Sequence, residues 1–462
     1  MASCISVAHG HCIASPQTDP RIAAIISGCG AQPDVKITYI TAGAGGMYCG
    51  SCLRDNALAT ALSGRGHDVT LLPLYTPTRT DETNVSQPRV FFGGISVYLE
   101  QYVSLFRKTP WLLDRLWESP WLLRAVAGRA VGTSPSQLGS LTVSVLEGAH
   151  GHQRKELDKL VHWLKGQPRP DVLDISNSML IAIAGPLKHA LGCPINCTLQ
   201  GEDIFMEGLL EPYRSRAKQL IQSHLSQVDS FIAVSDYYAG RMTQYLGIPG
   251  AKMHVVPLGV NPDTFVPAVA ESSVPFTMGY LGRIAPEKGL HLLVDAYRNL
   301  RERGALAGCR IEVAGYLGGE HLSYWQSIER EVKGWGLGSE IHYRGELDLD
   351  HKVRFLQSLD LFVVPAIYDD PKGMSLIEAM SCGVPVVAPR RGSYTELIER
   401  TGGGVLVAPE DLAELEETLR QLAEDRDRVC DLGRRAASAV RERYTTSEMT
   451  TAALDVYERL TR

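Results

Sequence analysis

At 462 residues, with 44% hydrophobic and 21% charged side chains, the chain is long enough for two hydrophobic cores of the usual ~100 to 200 residues each. The 25 prolines are ordinary, and the 44 glycines exceed the average usage of about 7% without collagen-like or low-complexity order, so many tight loops are expected. A net charge of −6, from 46 basic and 52 acidic residues, excludes a whole-chain field for nucleic acid, and ten scattered cysteines make no disulfide framework and fit a reducing compartment.

Residues 1–34 read as a loose tail, with neither a basic leader nor a long apolar stretch. From residue 35 short apolar runs alternate with helical segments, the pattern of a parallel sheet covered by helices. Strands are expected at 35–40, 68–74, 172–176, 194–199, 231–234 and 254–258, with helices at 53–62, 179–190 and 213–228. A helical insertion is expected around 98–165. Its first part, 98–131, carries Trp111, Trp117 and Trp121 with five basic and three acidic residues, and reads as packing on the sheet or as a membrane-surface or acceptor-binding element. No run of ~18 uncharged apolar residues offers a spanning helix. Residues 266–275 read as a connection, after which the alternation restarts, with strands at 276–282, 310–315, 341–345, 361–365, 385–388 and 405–407. The fold class expected is therefore α/β, two tandem Rossmann-like doubly wound domains, 35–268 and 274–440, facing each other across a cleft. A last helix in 441–462 is expected to pack across to the first domain.

In open parallel sheets ligands sit at the carboxyl ends of the strands, where loops lead into helices. Gly45 and Gly46 lie in the loop after the first strand, where bare backbone approaches a ligand closely or simply packs the following helix. The run Gly282-Arg283-Ile284-Ala285-Pro286-Glu287-Lys288-Gly289 follows the second domain's first strand and sets two cations at the cleft edge, as metal-free diphosphate binding needs; arbitrary basic residues are more often solvated surface charges. In the run from Asp369 to Met380, Pro371 and Gly373 delay the helix to about Met374. The amides of Gly373, Met374 and Ser375 are then expected to point outward as an anion site, with Asp370 and Glu378 flanking it. Two acids beside a phosphate site suit sugar and ribose hydroxyls; helix capping by Asp370 and a surface Glu378 are the plainer alternatives.

These two runs, the continuation from Glu378 to Val387 and the stretch Val255 to Asn261 together resemble glycosyltransferase family 4, retaining enzymes of the GT-B fold related in layout to glycogen and starch synthases. The resemblance spans nearly everything from Val35 onward. It implies a hexosyl transfer from a nucleoside-diphosphate sugar, the co-substrate, to a glycan, lipid or small-molecule hydroxyl, with no metal, no other cofactor and no nucleic acid. Carried over, Arg283 and Lys288 stabilise the leaving diphosphate, Glu378 holds the ribose, Asp370 the donor sugar, and Gly45 and Gly46 line the cleft. Arg344 and Gly345 sit where such enzymes contact the nucleobase. A cytoplasmic location is expected, with peripheral contact at the inner membrane face through 98–131.

The chain departs from the family twice. Gln200 stands where a histidine usually touches the donor sugar, and Asp370 stands for the usual glutamate; both bear on the sugar's identity more than on the reaction type. Cys49-Gly50-Ser51-Cys52 invites a redox or metal reading, with Cys193 and Cys197 as further ligands, but parallel strands put the two pairs at opposite sheet edges. His9, His11 and Cys12 fall in the tail. A non-catalytic sugar-nucleotide-binding scaffold and a sugar-nucleotide epimerase are the alternative functions.

Overall fold

A computed structural model of the chain describes residues 35–43, 49–92, 101, 135–268 and 275–462. The tail, Gly45 and Gly46, and the tryptophan-bearing stretch apart from Gln101 lie outside those residues. Strands covered by helices on both faces read as near-continuous apolar runs, and these form two six-stranded parallel sheets. The first contains β1 (Lys36–Thr41), β2 (Asp68–Pro73), β3 (Val172–Ile175), β4 (Ile195–Leu199), β5 (Ser230–Ala233) and β6 (Met253–Val255), in the order β2-β1-β3-β4-β5-β6. The second contains β7 (Thr277–Leu281), β8 (Arg310–Ala314), β9 (Ile341–Tyr343), β10 (Leu361–Val363), β11 (Val386–Pro389) and β12 (Gly404–Val407), in the order β12-β11-β10-β7-β8-β9. The order reverses direction between β1 and β3 in one sheet and between β7 and β10 in the other, which fixes where each sheet opens a ligand crevice.

Two expected elements are corrected. The 254–258 strand stops at Val255, and Pro257 has no amide with which to extend the ladder. The 179–190 helix begins as a 3-10 turn, Ser178–Ile183, and becomes α-helical only over Ala184–Leu191; Pro186 lacks an amide and is tolerated only in the first turn of an α-helix.

The helix Thr446–Thr461, capped by Thr445 Oγ1, which accepts from the Glu448 amide at 3.1 Å, covers the first sheet. Its Met449, Leu454 and Tyr457 share one apolar cluster with Ile37, Tyr39, Leu58 and Leu62. Tyr457 also donates to the buried Asp174 carboxylate at 2.6 Å. The two sheets are joined by apolar packing, in which Leu199 and Tyr238 belong to the same cluster as Leu376 and Ile377, and by polar bonds such as Ser235 Oγ to the Pro371 carbonyl at 2.8 Å. Gly289, at φ +75°, lets the loop after β7 press on the end of β10: a Cβ there would lie 1.8 Å from the Pro365 carbonyl oxygen.

Candidate active site

The carboxyl ends of β1 and β4 face those of β7 and β10 across a cavity of about 430 Å³. The second domain lines it with Gly282, Arg283, Lys288, Tyr368, Asp370, Lys372, Met374, Ser375 and Glu378, the first with Cys49, Gly50, Asp81, Gln200 and Gly201. A more open hollow of about 600 Å³ beside Tyr237, Arg390 and Glu396 is touched by Asp369 but by none of Arg283, Lys288, Asp370 and Glu378.

The loop after β7 ends in a short turn, Pro286–Lys288, that aims Lys288 Nζ at Asp370 Oδ2, 2.9 Å away, and at the Tyr368 hydroxyl. Arg283 is half-exposed and pairs with Glu287 one turn on. Asp370 is buried and heavily subscribed. Its Oδ1 accepts from the amides of Lys372 (2.8 Å) and Gly373 (2.9 Å), and its Oδ2 from Lys288, from the Tyr368 hydroxyl and from Tyr394 at 3.2 Å. Five donors therefore meet a group with about four acceptor positions. Burial alone would raise its pKa, but Lys288 and these donors outweigh burial and hold the carboxyl well below the usual range.

The helix Met374–Ser381 starts at Gly373, φ +67°, with its amino end on the cavity. Gly373 itself does not line the cavity: its amide is taken by Asp370, and its α-carbon faces Leu397, whose Cδ1 would be 2.2 Å from an added Cβ. Of the three amides expected to point outward, those of Met374 and Ser375 remain at the cavity, because Asp370 takes that of Gly373. Glu378, in the first turns of this helix, is buried, and its Oε1 accepts from Lys352 Nζ at 2.7 Å. No hydrogen bond among the described residues reaches its Oε2. Lys352 also reaches Asp81 of the first domain at 2.6 Å. Burial raises the Glu378 pKa, with Lys352 opposing, while Glu378 and Asp81 raise that of Lys352 against its own desolvation.

From the first domain, Gln200 follows β4 and is buried. Its Nε2 donates to Asp55 Oδ1 (2.9 Å) and to the Ser176 carbonyl (3.2 Å), and its Oε1 has no partner among the described residues. Two acceptors on one side fix which end of the amide is nitrogen. Gly201, φ +104°, brings the backbone against Pro371, whose Cγ would stand 2.8 Å from an added Cβ.

Arg344 and Gly345 are not in the cavity wall; Glu346 and Leu347 are. The Arg344 guanidinium is held by Glu312 on the neighbouring strand, at 2.6 and 2.9 Å, and the Gly345 carbonyl accepts from the Gly315 amide at 2.8 Å. Cys49 caps the helix Gly50–Gly64 at the cavity, whereas Cys193 precedes β4 and Cys197 lies buried within it, so the two pairs occupy opposite ends of the sheet or its interior.

Sequence reasoning missed Lys352, Asp81 and Lys372. Lys372 stood within a motif and was readable as a third cation; its Nζ donates to Ser51 Oγ at 2.7 Å across the cleft. Lys352 sits in an ordinary charged helix, Leu349–Gln357, and nothing in its spacing pointed to Glu378.

The family models described as "Glycosyl transferases group 1" and "Glycosyltransferase Family 4" match residues 264–439 and 144–264. Among curated proteins, the chain is 28% identical over 255 residues to the lipopolysaccharide core biosynthesis mannosyltransferase LpsB of Rhizobium meliloti, covering 52% of this chain and 68% of that one. It is 27% identical over 334 residues to the D-inositol 3-phosphate glycosyltransferase of Geodermatophilus obscurus, covering 69% and 71%. The match spans 53 to 76% of the length of eight such relatives. Among solved structures, Anabaena HepE in complex with UDP aligns with a TM-score of 0.65 at 16% identity, covering 92% of this chain and 100% of that one. Sucrose-phosphate synthase from Thermosynechococcus elongatus aligns with a TM-score of 0.67 at 16% identity, covering 92% and 98%.

Proposed function

This chain belongs to the group 1 glycosyltransferases, and we propose that it moves a hexosyl group, with retention, from a nucleoside-diphosphate sugar to an acceptor hydroxyl. The observation that carries the reading is the convergence in one cavity of Arg283, Lys288, the amino end of the helix Met374–Ser381 and the open oxygen of Glu378. The diphosphate lies against the two cations and the Met374 and Ser375 amides, and the Glu378 carboxylate takes the ribose hydroxyls. Asp370 and Gln200 seat the sugar, the carboxylate trading one of its five donors for a sugar hydroxyl.

Charge develops on the leaving phosphate as the glycosidic bond breaks, and donors aimed at that charge are worth most in a water-poor cleft. Gln200 cannot act as a base; the departing phosphate oxygen takes the acceptor proton on the same face, as retention allows. That HepE is solved with UDP favours a nucleoside diphosphate here. The acceptor is a glycan, a lipid or a small polyol, reached from the first domain.

The test is mass spectrometry of the pure protein incubated with a panel of nucleotide sugars, with the product anomer read by NMR. Lys288→Ala is expected to lower turnover by ~10² to 10³. Full turnover in both Lys288→Ala and Glu378→Ala overturns the site, an inverted anomer overturns retention, and release of an epimerised nucleotide sugar overturns transfer.

A further inference from the structure

We infer that Cys49 and Cys52 form a reactive dithiol at the cleft wall, which a hydroperoxide converts to an intramolecular disulfide. Neither thiol has a part in the transfer chemistry. Cys49 occupies the cap position of the helix Gly50–Gly64, is partly exposed and lines the cavity, so a small oxidant reaches it. Cys52 lies one turn into that helix, buried at 2% exposure. Residues three apart on a helix are neighbours, with Cβ atoms ~5 to 6 Å apart, close to what a disulfide spans after a small adjustment.

Two positive influences converge on Cys49. One is the helix amino end, where a thiolate is favoured. The other is Lys372 of the second domain, whose Nζ bonds Ser51 Oγ at 2.7 Å and would stand 3.8 Å from a Cβ on Gly50. The groups bearing on the pair are thus Lys372, Asp55, Thr41 and each cysteine on the other. In agreement with the geometry, the Cys52 thiol as a donor, then burial opposing it and Lys372 assisting, leave the Cys49 thiol well below its usual pKa; bonding to Cys49 and burial push Cys52 up. One sulfur is poised to attack and the other is held protonated.

The step balances. The Cys49 thiolate attacks one peroxide oxygen and the O–O bond breaks, expelling water or an alcohol and leaving a sulfenic acid. The Cys52 sulfur then attacks the Cys49 sulfur, its proton leaves with the departing hydroxide as water, and two thiols have been oxidised by two electrons.

The experiment uses the full-length reduced protein and reads thiol chemistry, so it stands or falls apart from transfer activity. Trypsin cutting after Lys36 and Arg54 releases residues 37–54, which hold Cys49 and Cys52 and no other cysteine. At mildly acidic pH, iodoacetamide is expected to label Cys49 on the order of tenfold faster than the exposed Cys430, and Lys372→Met to cut that advantage. After one equivalent of hydrogen peroxide the 37–54 peptide is expected to lose the mass of two hydrogens. In Cys52→Ser it is expected to carry instead a sulfenic acid trapped by dimedone at Cys49. Labelling of Cys49 no faster than Cys430, or a wild-type peptide that gains oxygen without losing hydrogens, overturns the inference.

Discussion

Lys352→Met tests whether the Glu378 end of the cavity, the proposed ribose end, is held by the ion triad that the motifs do not reveal. The substitution keeps the length of the side chain and removes its charge, leaving Glu378 and Asp81, each 9% exposed at the side chain, without their shared cation. Removing one partner of a buried pair costs ~3 to 5 kcal/mol, because the remaining charge is left uncompensated. Burial already raises the Glu378 pKa against the opposition of Lys352, so loss of Lys352 raises it further. A carboxyl whose folded pKa lies above its unfolded value of about 4.3 binds more protons in the folded state between the two, so stability falls as pH rises through that window. The deficit of the variant is therefore expected to be smallest near pH 4 and to grow toward neutrality. A protonated Glu378 also ceases to be a charged acceptor; losing a hydrogen bond of ~1.5 to 3 kcal/mol weakens nucleoside-diphosphate binding on the order of 10- to 100-fold. Urea unfolding across pH and calorimetric titration of the nucleotide check both. A variant as stable as wild type at pH 7, or one whose deficit shrinks as pH rises, refutes the reasoning.

Gly201→Ala places a Cβ at φ +104° and 2.8 Å from Pro371 Cγ, so strain of ~1 to 3 kcal/mol is expected where the two domains touch, measured as a lower urea midpoint, while Gly250→Ala, with open space around it, leaves the midpoint unchanged. Tyr457→Phe removes a donor from buried Asp174, whose pKa burial pushes up to about 6. A loss of ~1.5 to 3 kcal/mol is expected at neutral pH. Because the folded pKa exceeds the unfolded ~3.9 and rises further in the variant, that loss shrinks as pH falls from the variant's higher pKa to about 6 and stays small below it, which denaturation at pH 5 and 8 checks.

The strands were legible because each is a short apolar run bounded by turn residues, and burial on both faces leaves no other reading of 278–281 or 361–363. Helix starts were less so: at 178–183 apolar spacing suits an α-helix, and only the later Pro186 shifts its beginning. The motif cations Arg283 and Lys288 line the cavity, yet their partners were not readable. Glu287 lies within the same motif as Arg283, but the contact of Lys352 with Asp81 joins residues 271 positions apart and follows from the docking of two sheets. Arg344 shows the converse. Its place at a strand end suggested a ligand, and the neighbouring strand's Glu312, invisible in local sequence, claims it instead.

The second half of the chain, after residue 270, carries 24 basic and 31 acidic residues, so an anion there must be held by local groups. In the structure most of those groups are already committed: Arg283 to Glu287, Lys288 to Asp370, and Lys352 to Glu378 and Asp81. Among the described residues the Lys372 ammonium bonds a hydroxyl, that of Ser51, and has no carboxylate within ion-pair range. On the proposed function, the attraction first felt by a diphosphate would come from Lys372 and the amino end of the helix Met374–Ser381, with Arg283 and Lys288 following by exchange of partners. If Lys288 turned to phosphate, Asp370 would lose a donor and become free to accept a sugar hydroxyl, so the carboxylate that now pairs with Lys288 would later meet the donor sugar. Exchange of this kind predicts that Asp370→Asn, which removes the competitor for Lys288, binds free nucleoside diphosphate at least as tightly as wild type by calorimetry while losing turnover with the intact donor. Weaker nucleotide binding by Asp370→Asn, in a variant whose unfolding midpoint matches wild type, refutes the exchange and makes the carboxylate a direct support of the phosphate site.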